Sequence, residues 1–545
     1  MEPAFEPHLS VRFRWAGVAL IVAAALYRLV YLGWHCPLDL APDEAHYWNW
    51  SRQLDWCYYS KGPLVAWLIR LSCEFLGPLS QSLTGSEVLA IRFPAVVCGS
   101  LLLVGVYASM LQVYRNDALA FGVVALALTL PVVAAGASLM TIDAPFLCAW
   151  IWALVFAQRA VMLDARWPWL VAGVCVAIGV LAKHTMLLWV PSFALFLAAT
   201  PFMRHHLRSA NFWIMLGIGA LGGIPILVWN ALNGWPMLEH SRLHVGVAHE
   251  FSFHWLGPLK YVAGQVAVTM GLGFLVWAYA MWERRPGREA APAFALLWWM
   301  SAPIFVFFGL FSFFNGGGEP NWPLAAYLSG LVLGADTLMR ALYHPHRLWA
   351  GLARAGVVTF AGLGLVIAVL IHEPLPMQPI LLRLAGPATE RHPMPIRRVD
   401  PTCRLRGWRH LACEVDRVRA ELRQRGIEPV LAGQRWTHAS ELGFYCEGQP
   451  TVFCLGPLTG DRRSQFELWR PNPIHDPSEF VGRTFIIVGP DVEMLRPAFA
   501  TLGELRDITY RERGIPIAQW KLTVASGYRA DFVRAGFNYR GLSSR

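Results

Sequence analysis

The chain has 545 residues, of which 55% are hydrophobic and only 15% are charged. A soluble globular protein carries roughly 25% charged residues, so this composition excludes a purely soluble class and predicts a polytopic membrane protein. The formal net charge of +10 is accompanied by no nucleic-acid-binding motif, which leaves membrane topology as the better explanation of the excess cations.

Apolar stretches of about 20 residues, the length that crosses a bilayer, recur along the first two thirds of the chain. The first of them, residues 16–34, is too long for the apolar region of a signal peptide and lacks a convincing cleavage site. It is therefore predicted to be the first transmembrane helix. About eleven spans are predicted in all, at residues 16–34, 88–110, 118–135, 142–163, 168–182, 186–202, 211–230, 260–282, 292–313, 321–340 and 349–371.

The short loops between these spans predict the orientation. Arg12 and Arg14 precede the first span, and the loops on the same side carry most of the other loop arginines. The short loops on the opposite side hold almost no cation except Lys183. The positive-inside rule therefore places the N-terminus in the cytoplasm, and an odd number of spans places the C-terminal region outside.

The composition changes after Glu373, where the chain becomes rich in Arg, Pro and Glu and contains no further span. Two domains are predicted: a transmembrane domain at 1–372 with a large first outer loop at 35–87, and a soluble extracytoplasmic α/β domain at 373–545. Short apolar runs at 427–432, 451–455 and 484–488 are typical of strands, and 411–425 and 439–445 have helical spacing. The cysteines lack CxxC spacing. Cys403 with Cys413, or Cys446 with Cys454, could form disulfides, and reduced thiols are an equal alternative.

Acidic residues collect at span ends on the predicted outer side. Asp43 and Glu44 are adjacent in the first outer loop, Asp143 lies between the third and fourth spans, and Glu319 precedes the tenth. Acids beside apolar spans are costly and commonly functional. Asp143 and Glu319 could instead simply favour a helix N-terminus, but three acidic sites on one face favour a common function.

Lysine is rare in this chain. The 46 basic residues include only Lys61, Lys183, Lys260 and Lys521. Because arginine is the default cation, a lysine indicates a position that needs a compact point charge, with compositional drift as the alternative. The first three lysines fall on the outer side of the membrane half, where a compact cation suits a phosphate group.

An outer loop at 231–259 is rich in histidine and glutamate. Its spacings of four and five could bring metal ligands together, but it contains no tight motif such as HExxH. Ordinary interfacial histidines are the preferred interpretation. The residues concerned are Glu239, His240, His244, His249, Glu250 and His254.

Several of these motifs, in this order, resemble a family of bacterial integral-membrane glycosyltransferases. The runs Asp-Glu-Ala-His-Tyr-Trp at 43–48 and Tyr-Tyr-Ser-Lys-Gly-Pro-Leu at 58–64 resemble the first periplasmic loop of that family. Its members are relatives of protein O-mannosyltransferases and of the lipid A aminoarabinose transferase, in the GT-C superfamily. The other matching motifs are an acidic motif at 141–145, a lysine motif at 181–185, and two runs of the bacterial branch at 229–235 and 319–323.

The resemblance implies a GT-C fold and the transfer of a sugar from a polyprenyl-phosphate donor to an envelope acceptor. It places the reaction on the extracytoplasmic face of a bacterial inner membrane, with lipid A or another glycolipid as the favoured acceptor. Asp43 is implied to be the catalytic acid/base residue, and Lys61 and Lys183 are implied to meet the donor phosphate. The other implied substrate-binding residues are Arg28, Glu44, Tyr59, Asp143, His184, Glu319, Asn321 and Trp322.

The expected chemistry agrees with this topology. Nucleotide sugars are cytoplasmic, so a transferase with outward-facing acids needs a lipid-carried donor. Asp43 would take the proton of an acceptor hydroxyl, and the lysines would stabilise the departing phosphate. A single displacement with inversion is expected. If the acceptor were itself a phosphate, Asp43 would mainly orient it.

One departure from the family and two alternative functions remain. Ser60 stands where the aminoarabinose transferases have an acid before the lysine, so no metal ligand is assigned and a divalent cation is left open. A protein O-glycosyltransferase is the second interpretation. A lipid-linked sugar flippase or transporter is less favoured, because the chain shows no internal repeat and its acids lie at span ends rather than mid-span.

Overall fold

The computed structural model describes residues 8–163, 165–245, 253–287, 291–389 and 392–531, without the side chains of residues 243–245. Its first helices are α1 (Val11–Val30, continued to His35 by a π turn), α2 (Pro42–Arg52), α3 (Leu64–Thr84), α4 (Val88–Tyr114), α5 (Asp117–Leu128), α6 (Pro131–Gly136), α7 (Asp143–Leu163), α8 (Arg166–Ala182) and α9 (Trp189–Ala199). They are followed by α10 (Ala210–Leu221), α11 (Ile224–Leu232), α12 (Pro236–Val245), α13 (Gly257–Val268), α14 (Leu272–Glu283), α15 (Pro292–Trp299), α16 (Ala302–Asn315), α17 (Leu324–Leu342) and α18 (Arg347–His372).

Within the described residues, six helices are long and apolar enough to cross a membrane. They are Val11–His35, Val88–Tyr114, Asp143–Leu163, Ala210–Leu232, Pro292–Asn315 and Arg347–His372. Helices α13 and α14 would make a seventh span if their 113° bend lies within one crossing. The chain is thus a multi-pass membrane protein, as predicted.

The predicted count of eleven spans is not confirmed, because several apolar stretches are short or interrupted. The stretch at 118–135 divides into α5 and α6, with Pro131 as the first residue of α6. Helix α8 has only 17 residues. Helix α17 carries the buried Asp336, which pairs with Arg284 and Arg340, so this helix is less apolar than a simple span.

The first outer loop folds into α2 and α3 between the first two long spans. Helix α3 is amphipathic: Val65, Ala66 and Ile69 are buried, whereas Leu71 and Phe75 are exposed. The apolar exposed side is typical of a helix that lies on a membrane surface. Helix α2 instead buries most of its residues, several of them in a cluster that reaches into the C-terminal domain.

The region after α18 forms an α/β domain around one mixed sheet. Its helices are α19 (Gln378–Ala385), α20 (Trp408–Gln424) and α21 (Trp436–Tyr445). Its strands are β1 (Val430–Gly433), β2 (Val452–Cys454), β3 (Phe485–Gly489), β4 (Phe499–Leu502), β5 (Arg506–Glu512) and β6 (Ile515–Tyr528). The order is β2-β1-β3-β6-β4, and β5 also pairs with β6. The three predicted strands form the parallel part, β2-β1-β3, and β6 runs antiparallel to β3. Residues 532–545 of the predicted domain lie outside the described residues.

The C-terminal domain contacts the first outer loop through main-chain and side-chain hydrogen bonds. The Asp39 amide donates to the Leu405 carbonyl at 2.8 Å, and the Trp408 amide donates to Asp39 Oδ2 at 2.8 Å. The hydroxyl of Tyr445 accepts from the Leu40 amide at 2.7 Å. These bonds hold the start of α2 against the domain. All ten cysteines are free, so neither candidate disulfide is formed.

Candidate active site

The adjacent acids Asp43 and Glu44 have different surroundings. Glu44 is fully buried, and its carboxylate accepts two hydrogen bonds from the Arg92 guanidinium, from Nε at 3.0 Å and from Nη2 at 2.8 Å. It also accepts from the Ala41 amide at 2.9 Å and from the Met140 amide at 2.8 Å. Glu44 therefore contacts protein groups and ties the start of α2 to the segment that leads into Asp143.

Asp43 has an exposed side chain, and within the described residues its carboxylate has no hydrogen bond and no ion pair within 4.0 Å. Although solvent reaches the side chain, protein atoms surround the Asp43 carboxyl group on most sides. This burial raises the pKa of the Asp43 carboxyl, although the positive charges of Lys61, Arg404 and Arg462 oppose the shift. An accessible carboxylate with a raised pKa that contacts no protein donor is suited to accept a proton from a bound molecule.

Lys61 lies beside Asp43 because of a tight turn after Tyr59. A Cβ atom at Gly62 would overlap the carbonyl oxygen of Leu181, so this turn packs directly on the last residues of α8. Lys183 follows α8 immediately, and the two lysines are thereby brought together. Burial lowers the pKa of Lys61, and the charge of Lys183 lowers it further, against the opposing effect of Asp43. An incoming anion would relieve this repulsion.

Lys183 completes a small polar network with two residues from other helices. Its Nζ atom donates to Asp143 Oδ1 at 2.6 Å, and the second oxygen of Asp143 accepts from Asn321 Nδ2 at 2.8 Å. Asp143 is the first residue of α7, and Asn321 precedes α17. We refer to Asp43, Lys61, Asp143, Lys183 and Asn321 as the acid–lysine cluster.

An apolar cavity of about 330 Å³ opens beside the cluster. Helices α5, α6, α14, α17 and α18 supply most of its lining, which is almost entirely aliphatic and aromatic. Its few polar groups include Asp143 and Asn321, which belong to the cluster. The cavity therefore joins a lipid-like environment to a group of acids and lysines.

The other predicted site residues lie around this centre rather than in it. Tyr59 is buried, its ring contacts His240 at 5.3 Å, and its hydroxyl has no partner within the described residues. Arg28 is buried in α1, where its charge acts on His372 rather than on the cluster. Three other predicted site residues lie next to members of the cluster in the sequence. His184 is exposed and follows Lys183, and Glu319 and Trp322 lie within two residues of Asn321.

Two arginines of the C-terminal domain also act on the site and were not predicted. The charges of Arg404 and Arg462 both reach Asp43, and Arg462 also acts on Lys61. Arg462 lies over the ring of Trp436 at 5.4 Å. Neither was named as a site residue, because only the packing of the domain on α2 brings them close to Asp43.

The histidine-rich loop does not form a metal centre in the part of the chain that the structure describes, where no three His, Cys, Asp or Glu side chains converge. Glu239 instead forms an ion pair with Arg463 at 3.3 Å. His249 and Glu250 lie outside the described residues, and the side chain of His244 is among those left out.

Glu441 is a buried acid next to the site that has no partner. It lies in α21, is 1% exposed, and within the described residues neither of its carboxylate oxygens has a hydrogen bond. Burial raises the pKa of Glu441 well above its usual 4.5, and the charges of Asp39, Glu44 and Asp43 add to the shift against that of Arg92. The folded protein therefore keeps the Glu441 carboxyl group protonated at a pH at which the unfolded chain would have lost that proton.

We expect Glu441→Gln to stabilise the protein as the pH rises. In the wild type, stability falls as the pH increases from about 5 to about 8, since the folded state must keep a proton that the unfolded state has lost. The amide removes this contribution. Thermal unfolding of detergent-purified protein across this range should give a flatter profile for the variant, with little difference at the acidic end. Parallel profiles, or the same change in the exposed control Glu504→Gln, would contradict this expectation.

The sequence is similar to that of known glycosyltransferases over part of its length. A family model described as dolichyl-phosphate-mannose-protein mannosyltransferase matches residues 60–229. The lipid A galacturonosyltransferase RgtD of Rhizobium johnstonii is 26% identical over 320 residues, which is 58% of this chain. The alignment spans 64% of the length of that relative. The match to the family model includes Lys61, Asp143 and Lys183.

Solved structures extend the likeness to the whole fold. ArnT from Cupriavidus metallidurans, bound to undecaprenyl phosphate, matches with a TM-score of 0.57 and 17% identity over 93% of this chain and 98% of that chain. The oligosaccharyltransferase of Archaeoglobus fulgidus, tethered to an acceptor peptide, matches with a TM-score of 0.52 and 11% identity over 88% and 70% of the two chains. These comparisons confirm the predicted resemblance to GT-C glycosyltransferases: the sequence is similar over part of the chain, and the fold matches over most of it.

Proposed function

We propose that the protein transfers a sugar from a polyprenyl-phosphate donor to a glycolipid acceptor of the cell envelope, with lipid A as the favoured acceptor. The observation that carries this proposal is the position of the acid–lysine cluster at an apolar cavity between membrane helices. A donor of this kind has a long apolar chain next to an anionic phosphate. The similarity to a lipid A galacturonosyltransferase supports the choice of acceptor.

Each part of the cluster has a role in this reaction. Asp43 accepts the proton of the acceptor hydroxyl as its oxygen attacks the anomeric carbon of the sugar. The bond between that carbon and the phosphate oxygen breaks, and its electron pair stays with the phosphate. Lys61 and Lys183 stabilise the negative charge that grows there. A single displacement inverts the anomeric centre.

The topology fits a lipid-carried donor. With the N-terminus in the cytoplasm, the first outer loop and the α/β domain at 373–545 face the periplasm, where nucleotide sugars are absent. The polyprenyl chain would occupy the apolar cavity, and Asp143, itself held by Asn321, would position Lys183 to meet the phosphate at the polar end. Arg28, Glu44, Tyr59, His184, Glu319 and Trp322 remain proposed contributors to substrate binding.

Mass spectrometry of envelope lipids and glycoproteins tests this function. We would compare cells that have the intact gene, cells that lack it, and cells that carry Asp43→Asn. The loss of one sugar from a glycolipid in both defective strains would support the proposal and identify the acceptor. A sugar lost from a protein would point to O-glycosylation. An unchanged set of masses with an accumulating lipid-linked sugar would favour a flippase.

We expect Lys183→Ala to weaken donor binding about tenfold, the lower end of the effect of a hydrogen bond to a charged group. The substitution removes the cation nearest the polar end of the cavity and leaves the Asp143 carboxylate unpaired. Binding of undecaprenyl phosphate to purified protein measures the effect. Lys521→Ala, in β6 of the C-terminal domain, is the matched control. An unchanged affinity in Lys183→Ala would remove this residue from the phosphate site.

A further inference from the structure

Three arginines at the start of α20 and in the segment just before it lie close to the first outer loop, and their contacts differ. Arg406 is buried and pairs with two carboxylates of its own domain. Arg409 pairs with Asp39 at 3.0 Å and so joins the domain to the loop. Arg404 has an exposed side chain, and in the described ranges no carboxylate lies within 4.0 Å of its guanidinium. Arg406 therefore stabilises its own domain and Arg409 joins the domain to the loop, whereas the Arg404 side chain takes part in neither contact.

The backbone around Arg404 is nevertheless firmly held. The carbonyl oxygen of Arg404 accepts from Trp408 Nε1 at 2.9 Å. The carbonyl oxygen of the next residue, Leu405, accepts from the Asp39 amide at 2.8 Å. Arg404 is therefore fixed beside the segment that leads into α2, and its positive charge acts on Asp43 at the start of that helix. The held backbone keeps the origin of this side chain in place, and the exposed guanidinium can reach an anion bound near Asp43.

Arg404 reaches Asp43 from a different element than the lysines do. Lys61 and Lys183 come from the turn that packs on α8 and from the end of α8 itself, next to the apolar cavity. These two cations already serve the donor phosphate in the proposed reaction. Arg404 comes from the C-terminal domain, beside the residue that would deprotonate the acceptor. The planar guanidinium matches the oxygens of a phosphate in a bidentate manner, which a lysine cannot do.

We propose that Arg404 binds a phosphate group of the glycolipid acceptor, next to the hydroxyl that Asp43 deprotonates. This proposal rests on the proposed function and adds to it a role for the C-terminal domain in choosing the acceptor. An acceptor that lacks a phosphate near its reacting hydroxyl would be bound poorly. The donor also carries a phosphate, and the experiment distinguishes binding of the donor phosphate from binding of the acceptor phosphate.

The experiment measures the binding of three lipids to the purified full-length protein: phosphorylated lipid A, dephosphorylated lipid A and undecaprenyl phosphate. We expect Arg404→Ala to weaken binding of phosphorylated lipid A about ten- to a hundredfold, as for the loss of a charge-assisted hydrogen bond. The wild type should bind dephosphorylated lipid A about as weakly as the variant does. Arg404→Lys should retain part of the affinity. Arg417→Ala, which removes the same charge from an exposed position on α20, should change nothing.

Three outcomes would overturn the role of Arg404. Arg404→Ala and Arg404→Lys could both bind phosphorylated lipid A as tightly as the wild type does, or the wild type could fail to distinguish the two forms of lipid A. The loss could also fall on undecaprenyl phosphate, which would assign Arg404 to the donor. Failure of the wild type to bind undecaprenyl phosphate would instead count against the proposed function itself, so the two failures are distinguishable.

Discussion

Replacing Asp43 with asparagine is expected to reduce sugar transfer about a thousandfold, within the range that a positioned general base contributes. The amide keeps the size of the side chain but cannot take a proton. Because Asp43 has no hydrogen bond or ion pair among the described residues and burial raises its pKa, the thermal unfolding midpoint should not fall. Transfer is measured with a polyprenyl-phosphate sugar and lipid A, and binding of undecaprenyl phosphate is measured in parallel.

The pH dependence gives a second readout of this prediction. A base must be ionised to act, so wild-type transfer should fall on the acidic side as Asp43 becomes protonated. Burial raises the pKa of Asp43, and this fall should therefore lie above 3.8, the usual pKa of an aspartate. The exposed control Asp507→Asn should behave as the wild type does. Full turnover in Asp43→Asn would disprove the catalytic assignment.

The ion pair between Glu44 and Arg92 should give the largest effect on stability. Both side chains are almost completely buried, at 0% and 1% exposure. Arg92→Met leaves the Glu44 carboxylate buried without its cation, and such a loss costs about 3–5 kcal/mol. We expect a low yield of folded protein and a strongly reduced thermal midpoint. Transfer by the surviving protein should also fall, because Glu44 accepts from the Met140 amide just before Asp143.

A second variant distinguishes the broken pair from a general intolerance of the site. Arg92→Met combined with Glu44→Gln removes both charges, and we expect it to recover part of the lost stability. Arg70→Met is the matched control, since the ion pair of Arg70 with Glu74 is exposed and should contribute less than about 1 kcal/mol. A wild-type midpoint in Arg92→Met would show that the buried pair does not hold the loop.

The sequence pointed to most of the cluster, because membrane topology places rare charges on one side of the chain. Asp43, Lys61, Asp143, Lys183 and Asn321 were all named as site residues, and the structure brings them together. The different environments of Asp43 and Glu44 could not be predicted. Adjacent residues on a helix face different directions, and the partner of Glu44 lies 48 positions away.

The outline of the fold was predicted, and the strands and spans that were not predicted correctly have physical reasons. The buried parallel strands are continuous apolar runs, and each was predicted within a few residues of its observed position. Strands β4, β5 and β6 have mixed burial and lack such a signal. The prediction of eleven spans treated every apolar stretch as one straight helix. The 113° bend between α13 and α14 shows that one apolar stretch can form two helices.

The contact between Gly62 and the Leu181 carbonyl also bears on how such an enzyme diverges. Because this contact involves the backbone of α8 and a residue without a side chain, it does not depend on which side chains α8 carries. The helix can accumulate substitutions on its lipid-facing surface while the separation of Lys61 and Lys183 stays constant. The same pair of lysines is therefore preserved as other parts of the site change, provided that position 62 remains glycine.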